Sequence, residues 1–256
     1  MFKPKVGIFG LTGCAGDQLV ILNCEDELLQ LVDLLDIKSF VMASSNPDEE
    51  AELDIALVEG AVVTERDAQL LRHIRARSKL VIALGTCAVW GGVAAHGEGN
   101  WTLMLNQIYG GMAELYDASQ ARALKDVIKV DAAITGCPIE KHELIAAISQ
   151  LLNGNLPVLA HYPVCTECKM RENECLLINA DAFCVGPLTA AGCNARCPSL
   201  GVACIGCRGP APDANFEYAK TLFVTKRYDE QEIARRLHAF IQSPSLPVFG
   251  SQAVAV

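Results

Sequence analysis

Twelve cysteines are distributed over 256 residues in two unlike ways. Eight of them crowd between positions 165 and 207, in the order Cys165-x2-Cys168-x6-Cys175-x8-Cys184, then Cys193-x3-Cys197-Pro198, then Cys204-x2-Cys207. Eight thiolates divide naturally into two sets of four. Four thiolates hold a [4Fe–4S] cluster, and short C-x2-C and C-x3-C-P spacings suit it. Zinc is the competing chemistry, because C-x2-C pairs bind it too. A zinc ribbon, however, separates its two pairs by about 15–20 residues. Here residues 169–203 lie between Cys168 and Cys204, with four more cysteines among them. Iron–sulfur chemistry is the better match, and scattered structural cysteines would not crowd in this way.

The other group is dispersed. Cys14 follows a strand-like run in "FGLTGCAGDQLVILNC", Cys87 follows "VIALG" in "GTCAVWGG", and Cys137 follows the last such run in "TGCP". In an open parallel α/β sheet, the carboxyl ends of the strands share one crevice, and ligands bind there. Glycine stands one or two residues before each of these cysteines, which lets backbone approach closely. Three thiolates therefore converge, and a fourth ligand is wanted. The glycines at 10, 13 and 16 do not make a dinucleotide fingerprint, which needs G-x-G-x-x-G. No Lys-Ser/Thr pair follows them, as a phosphate loop requires. A redox C-x-x-C would need cysteine at position 17, where Asp17 stands. Asp17 is the first candidate for the fourth ligand. Cys24 is the alternative, about 10 Å further along a helix, and a cysteine there is more often simply a buried small hydrophobe. Glu59, at the end of another strand, is a possible residue of the surrounding shell, or simply an acceptor for backbone amides.

The elements that must position these groups are legible as a β-α rhythm. Val6–Phe9, 39–44, 54–60, 79–85 and 129–136 read as strands. Gln18–Leu35 reads as an amphipathic helix, a helix starts at Thr64 with Asp67 and runs to about Arg77, and Ile139–Leu152 closes the series. A helical or mixed region follows Trp101. The expected fold is α/β: a flavodoxin-like doubly wound parallel sheet over residues 1–155. Residues 156–256 are expected to form an irregular cysteine-rich iron–sulfur cluster-binding domain, organised by inorganic ligands rather than by an ordinary core. Its last helix starts at Asp229 with Glu232 and carries Ile233, Leu237 and Ile241 as an apolar stripe.

Composition narrows the class. A net charge of −9 argues against nucleic acid or an anionic membrane surface as partner. No run of 18 apolar residues exists, so no membrane span is expected. The start, "MFKPKVGIFG", enters a strand-like run without a leader pattern, and a cytoplasmic location is expected. In a reducing compartment, twelve cysteines point to metal rather than disulfides.

"LTGCAGD", "VEG", "GTCAVWGG" and "TGCP", followed by "YPVCTEC", "CVGP", "AGCNARCP" and "ACIGCRG", resemble the small, electron-transfer subunit of [NiFe] hydrogenases. The similarity covers roughly residues 5 to 210. It is nearest to cytoplasmic forms such as sulfhydrogenase delta subunits and the small subunits of viologen-reducing hydrogenases. The resemblance implies three [4Fe–4S] clusters: a proximal one on Cys14, Asp17, Cys87 and Cys137, a distal one on Cys165, Cys168, Cys175 and Cys184, and a medial one on Cys193, Cys197, Cys204 and Cys207. Asp17 departs from the family's second cysteine, although a few such subunits use three cysteines and one aspartate. Cys165 takes the place of a histidine found in periplasmic relatives, with His161 nearby. Four medial cysteines imply a four-iron cluster of lower potential than the three-iron form of many relatives. The resemblance also implies partners: a nickel–iron large subunit, and a flavin or iron–sulfur electron-transfer subunit. The nickel site is expected on the large subunit, because the C-x-x-C pairs here lack the R-x-C-G-x-C and D-P-C-x-x-C surroundings. Two other readings stand beside this one. The 20 kDa subunit of respiratory complex I shares the first half but lacks the eight-cysteine tail, and a zinc-binding structural module would be colourless.

Overall fold

In the computed structural model, which describes residues 3–24, 27, 33–95, 101–117 and 119–240, five strands line up in parallel. They are β1 (Lys5–Gly10), β2 (Asp36–Phe40), β3 (Leu53–Glu59), β4 (Ser78–Leu84) and β5 (Ala132–Ile134). Their order across the sheet is β2-β1-β3-β4-β5, the flavodoxin-like order. The strands read as nearly continuous apolar runs because both faces are covered. Alternate residues feed two cores. Val6, Ile8, Ile55, Leu57, Ile82 and Leu84 pack with Leu144 and Ile148. Phe9, Ala56, Val58, Val81 and Ala83 pack with Leu71 and Ile74 on the other side. Leu144 and Ile148 belong to a helix at Lys141–Leu152, and Leu71 and Ile74 to one at Glu65–Ala76. Strand order reverses between β1 and β3, so the ligand crevice of this topology lies at their carboxyl ends.

Helices in chain order are α1 (Gly16–Leu22), α2 (Glu65–Ala76), α3 (Gly85–Trp90), α4 (Trp101–Tyr109) and α5 (Lys141–Leu152). The expected helix over 18–35 is corrected. α1 ends at Leu22, where the Cys24 N–H turns back to the Ile21 carbonyl at 3.2 Å. Helical backbone is again present at residues 27 and 33–34, and residues 25–26 and 28–32 lie outside the described residues. The packed face mixes apolar and polar residues, with Val20 and Leu22 half-buried against the same core. Asp17, Gln18 and Ile21 are buried while Leu19 is exposed, because the two polar side chains have partners inside. The strand expected at 39–44 is β2, at 36–40. Its pairing with β1 stops at Phe40, and exposed Val41 and Met42 follow in a turn. The fifth strand shrinks to three residues, matching the three-residue register it shares with β4.

The start of α2 is where the sequence placed it. The Thr64 hydroxyl accepts from the Asp67 N–H at 3.0 Å, and Asp67 Oδ2 accepts from the N–H groups of Val63 and Thr64. The same oxygen accepts from the Thr12 hydroxyl at 2.9 Å, so this cap also anchors the loop leading to Cys14. Burial works against the Asp67 carboxylate, but the Thr64 and Val63 amides and the two threonine hydroxyls outweigh it and lower its pKa. A group depressed in this way stabilises the fold above its unfolded pKa of about 3.9 and loses that contribution as pH falls through the folded value. Replacing Asp67 with Ala is expected to cost about 1–2 kcal/mol at neutral pH. Denaturant melts at pH 7 and pH 3 check this, with the gap between wild type and variant narrowing at the lower pH.

Two compact units divide the chain, Met1–Val158 and Leu159–Val256. In the second, the helices are α6 (Val164–Met170), α7 (Leu176–Asn179), α8 (Arg196–Ser199), α9 (Phe216–Thr225) and α10 (Glu230–Leu237). Loops between them are fastened by backbone pairs, such as Val164 N–H to Thr189 O and Val185 N–H to Cys204 O. The core is small: Val164, Leu177, Phe183, Val185, Leu188, Phe223 and Ile233 pack around Cys184 and Cys204. Asp229 caps α10 by accepting from the Glu232 N–H at 2.9 Å, and Ile233 and Leu237 are buried as the stripe predicts. Ile241 lies outside the described residues. No described helix is long and apolar enough to cross a membrane.

Candidate metal centres

The loops after β1, β3, β4 and β5 are tied together at the carboxyl ends of the sheet. Ala61 N–H bonds Thr12 O, Thr86 N–H bonds Gly136 O, and Ile139 N–H bonds Asp17 Oδ1, each at 2.8 Å. These ties gather Cys14, Asp17, Cys87 and Cys137. A methyl group placed on Gly16 would lie 3.2 Å from Cys14 Sγ and 3.7 Å from Pro138 Cβ, so the first and third cysteine loops abut. Two glycines of "GTCAVWGG" are required by this packing. At Gly85, with φ +78°, an added Cβ would overlap Asp17 Oδ2. At Gly92, with φ +64°, it would lie 2.5 Å from Cys87 Sγ. The left-handed backbone and the lack of space both exclude a side chain there.

The electrostatics of the four groups are coupled. Burial pushes the Cys87 thiol up to about 11, and Asp17, Cys14 and Glu59 add to it. Burial likewise takes Cys137 to about 11, followed by the effects of Cys87, Asp17 and Cys14. Asp17, 9 % exposed, is raised to about 6 by burial, with the Ile139 N–H opposing and Glu59 reinforcing. Asp17 does not cap α1. Its position is inside the first turn, the residue before the helix is Ala15, and its oxygen serves Ile139 instead. Asp17, Cys87 and Cys137 are each held toward their neutral forms, and a bound cation would favour the charged ones.

Glu59 is 3 % exposed and accepts from Gln18 N–H at 2.9 Å and from Gln18 Nε2 at 3.0 Å. It therefore acts as an acceptor that holds the start of α1, one of the two roles open to it from the sequence. Cys24 is fully buried among Val6, Ile8, Ile21 and Leu144, and its thiol donates to Val20 O at 3.3 Å. Its charged neighbours are Lys141 and Glu27, not the other three thiols.

In the second unit, Cys165, Cys168, Cys175 and Cys184 line one cavity of about 360 Å³, counted to its open mouth. The rest of its wall is Val164, Leu176, Leu177, Gly186, Pro187 and Pro198. α6 supplies the first pair, the start of α7 the third and the following loop the fourth. Burial, then Cys184, Cys168 and Cys175, raise Cys165 to about 11. Cys184 Sγ accepts the N–H of Cys204 at 3.3 Å, so the second group of cysteines begins against the first. Cys204 is pushed to about 12, chiefly by burial, with the Gly206 amide and the Thr189 hydroxyl opposing and Cys184 and Cys207 adding. Cys193 and Cys197 flank the start of α8, and Arg208, next to Cys207, exerts its charge on Cys193. His161 is exposed.

Three residues of this region were not singled out by sequence reasoning: Glu167, Thr189 and Arg208. All are buried, at 8 %, 2 % and 2 % exposure. Glu167 and Arg208 had a signal, since one lies within "CTEC" and the other follows "CIGC". Among the described residues, no three His, Cys, Asp or Glu side chains are gathered as a single metal ion would need.

Residues 14–151 match the family described as NADH ubiquinone oxidoreductase, 20 kDa subunit. That match stops before the eight-cysteine segment, whereas full-length relatives extend through it. Sulfhydrogenase 2 subunit delta of Pyrococcus furiosus is 42 % identical over 92 % of this chain and 98 % of its own length. A vhu subunit of the F420-non-reducing hydrogenase of Methanocaldococcus jannaschii is 36 % identical over 80 % of this chain and 81 % of its own. Among solved structures, a chain of the actinobacterial-type NiFe-hydrogenase from Ralstonia eutropha H16 shares the fold, with a TM-score of 0.59 at 17 % identity, over 99 % of this chain and 98 % of that one. The protein belongs to the family of hydrogenase subunits that includes sulfhydrogenase delta chains, and its first unit is built on the domain of the 20 kDa subunit of NADH ubiquinone oxidoreductase.

Proposed function

We propose that this chain is the electron-transfer subunit of a cytoplasmic [NiFe] hydrogenase, relaying electrons through three [4Fe–4S] clusters between a nickel–iron large subunit and a redox partner subunit. The observation that carries the proposal is the second-unit cavity, whose lining holds Cys165, Cys168, Cys175 and Cys184 with apolar residues. Those four would hold the distal cluster. Cys14, Asp17, Cys87 and Cys137 would hold the proximal one in the first unit, and Cys193, Cys197, Cys204 and Cys207 the medial one. Each cluster, once bound, takes up and releases one electron. The chain's own residues supply the ligands, exclude water with apolar walls, and donate N–H groups to sulfur, as Cys204 does to Cys184. Nickel chemistry is left to the partner.

The first unit also presents a surface suited to such a partner. α4 carries no charged side chain. Ile108, Met112 and Leu115 of this segment are exposed at 70 %, 59 % and 80 %. The excursion leaves the sheet beside Cys87 and returns where Arg122 pairs with Val62. A permanent assembly buries more than about 2,000 Å² in total, with an apolar centre. Purification from the native host is expected to yield this chain with a large subunit bearing the paired nickel-site motifs, and the chain expressed alone is expected to aggregate or to lack its proximal iron. A stable monomer with every cluster loaded would overturn the proposal.

A further inference from the structure

Glu167 lies between Cys165 and Cys168 on α6, yet its carboxylate is directed to the other group of cysteines. Oε1 accepts the Gly192 N–H at 2.8 Å, and Oε2 accepts the Ala195 N–H at 3.0 Å. These two amides flank Cys193, whose Sγ is 4.0 Å from Oε2. The backbone at Asn194 and Ala195 is left-handed, with φ of 54° and 47°, a conformation a non-glycine residue keeps only when its surroundings impose it. The carboxylate thus fixes the strained loop and places a buried negative charge beside one sulfur. Arg208 is the opposing charge, held by its Nε–H bonds to the carbonyls of Ala190 at 3.2 Å and Ala191 at 2.8 Å.

We infer that Glu167 is a positioning residue of the relay: carried on the helix that supplies two distal ligands, it orients Cys193 for the medial cluster and holds that cluster at a lower potential than its ligands alone would give. The inference rests on the three-cluster reading proposed above. An added electron makes a cluster more negative, and a fixed anion 4.0 Å from a ligand sulfur opposes that gain. Charge and hydrogen bonding next to the sulfurs are among the factors that set cluster potential.

The experiment uses the hydrogenase complex purified without oxygen, with Glu167→Gln and Glu167→Asp beside wild type. Iron analysis is followed by redox titration monitored by EPR, and Cys193→Ser identifies the medial signal. Glu167→Gln is expected to keep its iron and to raise the reduced-to-oxidised ratio of the medial cluster at least tenfold at fixed applied potential, about 59 mV for a one-electron couple. The proximal signal should stay in place. Glu167→Asp, which keeps the charge, should remain near wild type, and it decides the matter if Glu167→Gln does not assemble. No shift in Glu167→Gln, an equal shift in both variants, or loss of medial iron from both overturns the inference. A wild-type complex whose tail holds no iron would instead sink the three-cluster reading itself.

Discussion

Protein purified without oxygen is expected to be brown and to carry about twelve iron and twelve acid-labile sulfide per chain, four of each from every cluster. The expectation rests on the three proposed groups of four ligands, one in the first unit and two in the second. Each can be removed singly. Cys184→Ala takes away a buried ligand from the second-unit cavity, where Cys184 Sγ also accepts the Cys204 N–H. Iron should fall to about eight, and the distal EPR signal should vanish while the proximal one persists. The second unit should lose stability as well, because its small core packs around Cys184 and Cys204. Domains with so little apolar interior depend on inorganic ligands for part of their folding free energy. A wild-type iron content near four would refute the tail assignment. Zinc at about two per chain in place of iron would favour a structural module.

The sheet was legible because a parallel strand buried on both faces must be apolar throughout. Runs such as "DIALVEG" and "KLVIALG" satisfy that requirement and match β3 and β4 closely. The cap of α2 was legible because Thr64 and Asp67 carry the local chemistry of a helix start. α1 departs from its apolar pattern for a physical reason. Its buried face includes Asp17 and Gln18, which bond Ile139 and Glu59, while Leu19 of the apolar pattern is exposed. β2 lies earlier than its apolar run because "SFVMAS" continues into a turn where Val41 and Met42 face solvent. The gathering of Cys14, Cys87 and Cys137 followed from topology alone, since all three follow carboxyl ends of parallel strands. The bonds that hold the gathering in place were not legible. Thr86 to Gly136 and Asp17 to Ile139 join residues 50 and more positions apart, and no local pattern announces them. Glu167 was hidden for a similar reason: its partners, Gly192 and Ala195, belong to a different cysteine motif.

Replacing Asp17 should have the largest effect of any non-cysteine change in the first unit. The carboxylate is buried beside Cys87 and Cys137, and Cys24, the alternative fourth ligand, is enclosed in the core with its thiol on Val20 O. A carboxylate is a harder donor than a thiolate and gives less charge to iron. Asp17→Cys is therefore expected to keep about twelve iron per chain while moving the proximal cluster to a different potential in redox-titrated EPR. Asp17→Ala removes the ligand and also strands the Ile139 N–H, at a cost of about 1–3 kcal/mol. Its iron content should fall to about eight, with the two tail clusters intact. Cys24→Ala should leave the iron count and the proximal signal unchanged, losing only the packing of a small buried side chain. The competing account makes Asp17 a tie between α1 and the Cys137 loop and nothing more. On that account Asp17→Asn, whose carbonyl can still accept from Ile139, would behave as wild type in iron and in potential. On the ligand account Asp17→Asn loses the anionic donor, and the proximal signal is weakened or lost although the fold survives. A Cys24→Ala protein that lacks proximal iron, beside an Asp17→Ala protein that retains it, would reverse the assignment.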